Sequence, residues 1–452
     1  MTTAEETKQL ATWTERVPRD WKVTRLDAVA DVMFSNVDKH SIEGELSVRL
    51  CNYVDVYKND RITNTIDFME ASADQREVEK FQIRKGDVLA TKDSEEADDI
   101  AIPSLVVDDL PGVLCGYHLA MIRPRLASVS GSYLAWLHAS KSFRAQYEAK
   151  APGVTRFGLP QYAFRAARIP LPQYEEQNRI AEYLNASCAI IDSAVESKND
   201  QLEKLKALRI ITIHHAVTQG LDPNAKMKSA RLDWLSDVPE HWKMSRIRNI
   251  AKLSPGYRGN PPESDELCTI VPMEYLSTEG EIDTSQVDLF KDISSGLTMF
   301  QVGDVLFAKI TPCMENGKGA FVENLPTRSA FGSTEFHVLR PMPQVDGRFL
   351  YFYTFNPVFR LYAAENMVGA AGQKRVSSHF LKDTRIFLPP LEEQRDICNF
   401  LVTKDSEFRA LFSQIKKQID TLFGYRDSLI HECVTGQRRI TEADLNKIRK
   451  HG

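Results

Sequence analysis

The chain has 452 residues, with 57 Lys and Arg against 62 Asp and Glu and a net charge of −5. That length allows two or three domains, and the acidic balance excludes nucleic-acid binding through bulk charge, so local charge must carry any such contact. No apolar run approaches the ~18–20 residues that span a bilayer, and the polar start (residues 1–6) lacks a signal-peptide core. Seven cysteines without CxxC spacing argue against structural zinc and a disulfide framework, which fits a reducing cytoplasm.

In chain order, almost every recognisable element occurs twice. Val17-Pro18-Arg19-Asp20-Trp21-Lys22 returns as Val238-Pro239-Glu240-His241-Trp242-Lys243, and Trp13 returns as Trp234. The turn-and-strand segment Phe81-Gln82-Ile83-Arg84-Lys85-Gly86-Asp87-Val88-Leu89 matches Phe300-Gln301-Val302-Gly303-Asp304-Val305-Leu306. Ile122-Arg123-Pro124 matches Leu339-Arg340-Pro341, and Gly131-Ser132-Tyr133-Leu134 matches Gly347-Arg348-Phe349-Leu350. Each globular copy reads as mixed α and β, with strand-like stretches at 119–122 and 336–339 and helical spacing at 133–147 and 349–362. The offset is 221 early and 217 later, so the copies differ most between residues 22 and 85. Shared residues read as scaffold; divergent loops read as the places where the copies do different work.

Each copy ends in a long helix. The first follows Leu171-Pro172-Gln173-Tyr174-Glu175-Glu176-Gln177 and carries a coiled-coil seam at Leu184, Cys188, Ile191, Val195, Leu202 and Leu205. The second follows Leu388-Pro389-Pro390-Leu391-Glu392-Glu393-Gln394, with a seam at Leu401, Phe408, Phe412, Ile415, Ile419, Leu422 and Leu429. Acidic residues in each first turn suit the helix dipole. At roughly 44 residues each helix is about 65 Å long. A parallel pair would need the short linker stretched almost fully at ~3.4 Å per residue, so the pair is expected to be antiparallel. Lys198, Arg209, Asp405 and Arg426 occupy seam positions and serve either register or partner docking. The expected organisation is α+β: a globular domain over 13–170, a long helix over 171–220, a linker over 221–237, a second domain over 238–387, a second helix over 388–437 and a charged tail over 438–452, frayed or helical. The halves form a pseudo-two-fold tandem duplication, like an isologous dimer fused into one chain.

Residues 141–168 hold six basic residues and one acidic one, and residues 357–385 are similarly basic, as phosphate binding requires. Within them, Gly153-Val154-Thr155-Arg156 and Gly372-Gln373-Lys374-Arg375 are Gly-led basic loops suited to groove entry. Lys92 and Lys309 are repeat equivalents. Lys309 leads into Thr311, Asn316 and Lys318, whereas Lys92 leads into the acidic run Asp93-Ser94-Glu95-Glu96-Ala97-Asp98-Asp99. Arg258, in Tyr257-Arg258-Gly259-Asn260, is a further DNA-contact candidate.

Catalytic motifs are incomplete. Asn260-Pro261-Pro262-Glu263 has Glu where an amino-methyltransferase loop needs an aromatic to stack on a flipped base. The Asp87/Lys92 and Asp304/Lys309 pairs lack the acidic residue a metal nuclease places two before its lysine, and Gly317-Lys318 lacks a Walker loop's spaced glycine. His214 and His431 share one helix position across the repeat, which points to packing or partner contact.

Taken together, the VPxxW entries, the paired tryptophans and the duplicated Leu-Pro/Glu-Glu-Gln entries into long helices resemble the specificity subunit of type I restriction–modification enzymes, over residues 13–437. The resemblance implies a non-catalytic subunit whose two target recognition domains each read half of a bipartite, asymmetric double-stranded DNA sequence. It implies helices that set the spacer and dock two methyltransferase subunits, and a motor–nuclease subunit that adds restriction. Cofactors would then lie on the partners: S-adenosylmethionine on the methyltransferase, ATP and Mg on the motor–nuclease. A methyltransferase-only or type IIB-like system is the alternative setting.

Overall fold

The computed structural model describes residues 17–125, 128–293, 295–370 and 372–449. Trp13 and residues 1–6 therefore lie outside the described residues. The chain divides into two compact units. One comprises residues 1–198 and 416–452, the other 199–415, so each long helix gives one half to each unit.

In the first unit, five strands lie in the order Ala30–Phe34, Leu119–Pro124, Val88–Thr91, Pro103–Val106, Arg61–Ile62. Val88–Thr91 is buried along its whole length, as its apolar run requires of a strand covered on both faces. Beside this sheet lie a three-stranded sheet (Met69–Ala73, Leu46–Cys51, Val113–Cys115) and the helices Gly131–Ala139 and Lys141–Glu148. The second unit repeats the plan with two four-stranded sheets. One runs Ala251–Leu253, Phe336–Pro341, Val305–Ala308, Gly319–Phe321; helices Gly347–Phe355 and Pro357–Glu365 pack beside it. In both units a strand pair closes the domain: Lys22–Arg25 with Arg168–Leu171, and Lys243–Arg246 with Arg385–Leu388.

The repeated motifs turn out to be mutual partners. Asp87 and Asp304, buried at the mouth of the central strand, each receive a two-pronged arginine. Arg123 donates to Asp87 at 2.9 and 2.7 Å, and Arg340 to Asp304 at 2.7 and 2.6 Å. The indole N–H of Trp21 donates to Glu176 (3.1 Å) and that of Trp242 to Glu393 (3.0 Å), which explains why a VPxxW entry accompanies each Glu-Glu-Gln helix start. The glutamine beside each glutamate accepts from a backbone N–H at the start of the domain helix: Gln177 from Ser130 (2.8 Å), Gln394 from Asp346 (2.9 Å). Each long helix ends at a glycine with positive φ, Gly220 (+77°) and Gly436 (+76°). A Cβ on Gly436 would lie 2.5 Å from Pro18, so the turn requires glycine for room as well as conformation.

The long helices run Tyr174–Gln219 and Leu391–Val434. Within each unit they pair antiparallel. In the first, Asp192 meets Arg426 (3.0 Å) while Tyr183 meets Arg438 (2.7 Å); in the second, Arg209 meets Asp405 (2.6 Å) while the end at Gly220 packs on Glu393. Seam residues Leu184, Ile191, Val195, Leu202, Leu401, Phe408 and Ile415 are buried, while Leu205, Phe412, Ile419 and Leu422 are half-buried. Three of the seam's polar positions have a structural use: Arg209, its partner Asp405, and Arg426. Arg209 and Arg426 are repeat equivalents, and each ties the opposite helix to its unit's domain: Arg209 through Asp405 and Glu279 (2.7 Å), Arg426 through Asp192 and Asp60 (3.1 Å).

The linker differs from expectation, and the tail takes the helical of its two expected forms. Residues 221–237 contain most of a β-hairpin, Met227–Leu232 with Leu235–Pro239, anchored by Lys228 donating to the carbonyls of Glu240 (2.6 Å) and Trp242 (2.7 Å). The charged tail forms a helix, Glu442–Arg449. It buries Leu445 against the first unit's core and pairs Arg449 with Glu182 (2.6 Å).

Candidate nucleic-acid interface

Both domains build the same backbone frame at the far end of the central strand. In the first, the N–H of Lys92 donates to His118 (3.2 Å) and its carbonyl accepts from Leu159 (2.7 Å). In the second, the N–H of Lys309 donates to Glu335 (2.9 Å) and its carbonyl accepts from Val376 (2.9 Å). All three positions are offset by 217. The Gly-led loop of each domain therefore arrives beside the repeated lysine, and the side chains placed on that frame differ.

In the first domain, the half-buried Lys92 reaches the carbonyl of Ser35 (3.4 Å). It lies over the rings of Phe34 (5.2 Å) and Tyr117 (4.5 Å). Burial pushes its ammonium pKa down, and the adjacent Asp93 opposes that shift. Asp93 accepts from His118 Nδ1 (2.9 Å) and lies 3.5 Å from Arg156 Nη2. The strand Phe157–Gly158, which follows Arg156, pairs with Asp93–Ser94. Arg156 remains 61% exposed, so it can leave this weak contact for an outside acceptor. The acidic run is thus partly structural: Asp93 organises the cluster, and Asp99 accepts from Tyr57 (2.8 Å).

In the second domain, Arg375 grips Glu335 through Nη2 (2.7 Å) and Nε (3.0 and 3.1 Å). That hydrogen bond holds the Glu335 carboxyl below its ordinary pKa. Thr311 N–H donates to the Lys374 carbonyl (3.0 Å), Ile310 bridges Arg375, and Gly372 turns at φ +82°. The result projects Gln373 and Lys374, both exposed, with no side-chain partner among the described residues. Arg375 acts as the clamp of this loop and Lys374 as its outward cation.

The loop over residues 311–318 stands beside this frame. Arg360, buried beneath it, donates to the carbonyls of Met314 (2.8 Å) and Lys318 (3.2 Å). Lys318 turns inward and donates to the Met273 carbonyl (2.8 Å), leaving Asn316 exposed at the tip. Arg258 stands apart. It pairs with the buried Asp304 (3.1 Å), five residues before Lys309 and so about 16 Å away along the strand. The basic segments are also less exposed than their composition implies. Arg144 and Arg360 are buried, Lys141 pairs with Asp427 (2.7 Å), and Phe143, Tyr147 and Phe164 belong to the core. His214 contacts Asn356 (3.2 Å) and His431 contacts Ser142 (2.6 Å), both as packing between helix and domain.

Sequence reasoning missed His118, Asp93 and Glu335 as site residues. The 217 offset linking His118 to Glu335 was available, but their chemistry differs, so a search for repeated identity passes over them.

Residues 239–421 match the family described as the type I restriction modification DNA specificity domain. The EcoAI specificity subunit of Escherichia coli is 30% identical over 196 residues, covering 43% of this chain and 32% of that protein. The chain spans about a third of the length of the EcoAI and EcoEI specificity subunits that it matches. The putative MjaX specificity subunit of Methanocaldococcus jannaschii is 21% identical over 427 residues, covering 94% of this chain and 95% of that one. Among solved structures, a chain from a study of complex assembly and conformational transition of the type I R-M system superposes with TM-score 0.68. It shares 18% identity and covers 92% of this chain and 98% of its own. The HsdS subunit from Thermoanaerobacter tengcongensis superposes with TM-score 0.53 at 18% identity, covering 93% and 98%. These two likenesses bear on the fold. No helix among the described residues is long and apolar enough to cross a membrane.

Proposed function

Because the chain belongs to the family of specificity subunits of type I restriction–modification enzymes, we propose that it reads a bipartite, asymmetric DNA target, one half per domain, without catalysis of its own. The observation that carries this reading is one backbone frame furnished twice with unlike side chains: Lys92, His118, Asp93 and Arg156 in one domain, Lys309, Glu335, Gln373, Lys374 and Arg375 in the other. Identical frames give both domains the same approach to the duplex. Different furnishings give them different base preferences, because base edges are distinguished by donor and acceptor pattern.

The long helices set the spacer between half-sites and dock two methyltransferase subunits. Their outward apolar residues, among them Ile190, Leu208, Ile211, Val402 and Phe423, are at least 44% exposed, as a surface for partners requires. S-adenosylmethionine belongs to those methyltransferases, which place the methyl group on adenine N6, and ATP and Mg to a motor–nuclease. Two experiments test the reading. Binding to target DNA with the methyltransferase present should weaken steeply with salt; a salt-independent shift contradicts it. Inserting one heptad at matched points of both helices should lengthen the spacer and leave both half-sites unchanged. Altered half-sites with an unaltered spacer would sink the ruler.

A further inference from the structure

The two units treat one repeated buried arginine differently. In the second unit, Arg360 is fully used. Nε donates to Thr354 (2.9 Å) and Nη1 to Met314 (2.8 Å) and Lys318 (3.2 Å), two carbonyls of the 311–318 loop. Its counterpart in the Phe-Arg pair of the first unit, Arg144, keeps only the local bonds: Nη1 donates to His138 and Ala139, both at 3.0 Å. Among the described residues, no other carbonyl accepts from Arg144. Its Nε is shielded from solvent and meets no acceptor, although the residue is only 8% exposed. Buried donors of a charged group are rarely left this way.

Arg144 lines a cleft of about 440 Å³ within the first unit, between the domain and its long-helix pair. That volume is in the range of small-ligand sites, roughly 300–1,000 Å³. One side is apolar, formed by Ile102, Pro103, Ala135 and the Trp136 ring. Two other cations of the cleft are paired with carboxylates: Arg426 with Asp192 (3.0 Å) and Asp60 (3.1 Å), and Lys141 with Asp427 (2.7 Å); the exposed Arg61 donates to the neutral Asn185 amide (3.0 Å). Among the described residues Arg144 makes no ion pair; burial pushes its guanidinium pKa down, and the carboxylates of Glu148, Asp99, Asp427 and Asp98 at longer range oppose that shift.

From this contrast we infer that the cleft is a binding site for a small organic anion, a carboxylate or phosphate carried on a planar apolar body. The anionic group pairs with the Arg144 guanidinium, and the body lies along Trp136. This inference is independent of DNA reading, since none of the candidate DNA contacts lines the cleft.

The test is calorimetric titration of the full chain with phenyl phosphate, benzoate and inorganic phosphate. Saturable binding of either aromatic anion, with inorganic phosphate about tenfold weaker or more, supports the site. Arg144→Met should weaken binding by at least about tenfold. Because that variant can fail to fold, Ala189→Phe is the second arm: Ala189 is exposed at the cleft, and its replacement should fill the space and abolish binding without touching Arg144. Absence of saturable binding below about 1 mM overturns the proposal, as does unchanged affinity in Ala189→Phe. So does failure of all three probes while Ala189→Phe blocks co-purification with the methyltransferase, which would make the cleft a seat for a partner's side chain.

Discussion

Glu335 is the residue on which the division of labour in the second proposed DNA-contact loop can be decided. Arg375 holds it with three contacts of 2.7–3.1 Å, whereas Lys374 next door points outward. If Lys374 meets a phosphate, Lys374→Ala removes one counterion-releasing contact. The slope of log K against log salt then falls by about 0.9. From about 50 to about 200 mM salt that slope difference amounts to about 3.5-fold, so the defect should be larger by that factor at low salt. If Arg375 is a clamp, Arg375→Ala and Glu335→Ala should each weaken binding by loosening the same loop, and the double variant should be no worse than either single one. Binding of half-site duplexes by fluorescence anisotropy, with methyltransferase present and across a salt series, measures all four variants. The reasoning is refuted if Glu335→Ala tightens binding while Arg375→Ala carries the full salt-slope change, for then Arg375 is the DNA contact and Glu335 its competitor.

Other outcomes follow from the same structure. Asp304→Ala should cost about 3–5 kcal/mol, because it strands the buried Arg340, and Asp87→Ala should do the same to Arg123. Denaturant unfolding measures this, and an Asp304→Ala/Arg340→Met double variant should recover part of the loss. His138 is fully buried and its pKa is lowered by burial to about 4. A group whose folded pKa lies below its unfolded value of about 6.5 stabilises above that value and loses its contribution as pH falls toward the folded one. Unfolding between pH 6.5 and 4 should therefore show a decline approaching about 3 kcal/mol that His138→Gln flattens. The Glu335–Arg375 clamp has the same sign: it holds above the ordinary carboxylate pKa and is lost as pH falls through the lowered one. Hydrogen exchange at Val368 and Arg375 should accelerate there in the parent chain and be fast at all pH values in Glu335→Gln. Replacing residues 22–165 with another recognition domain should change one half-site only.

The duplication and the two long helices were legible because both are written in local pattern: repeated short strings, and apolar spacing unbroken by Gly or Pro from Glu175 to Gln219. What the repeated residues touch was not legible. Asp87 meets Arg123 across 36 residues and Trp21 meets Glu176 across 155, and no local rule predicts such pairings. Counting charge over 141–168 could not separate the buried Arg144, which donates to the His138 carbonyl, from the exposed Arg156. The hairpin at 227–239 was hidden by its Lys, Ser and Asp content and by Pro223, which read as linker. Its strands are fixed by pairing with each other and by Lys228 on the Trp242 carbonyl.

The central claim is that one chain with two unlike domains dictates a split target. Single-molecule methylome sequencing of cells expressing the chain with its methyltransferase tests it directly. The account predicts adenine methylation at one asymmetric motif with two specified halves and a spacer of fixed length. Methylation without sequence preference, or at a single uninterrupted motif, would contradict it.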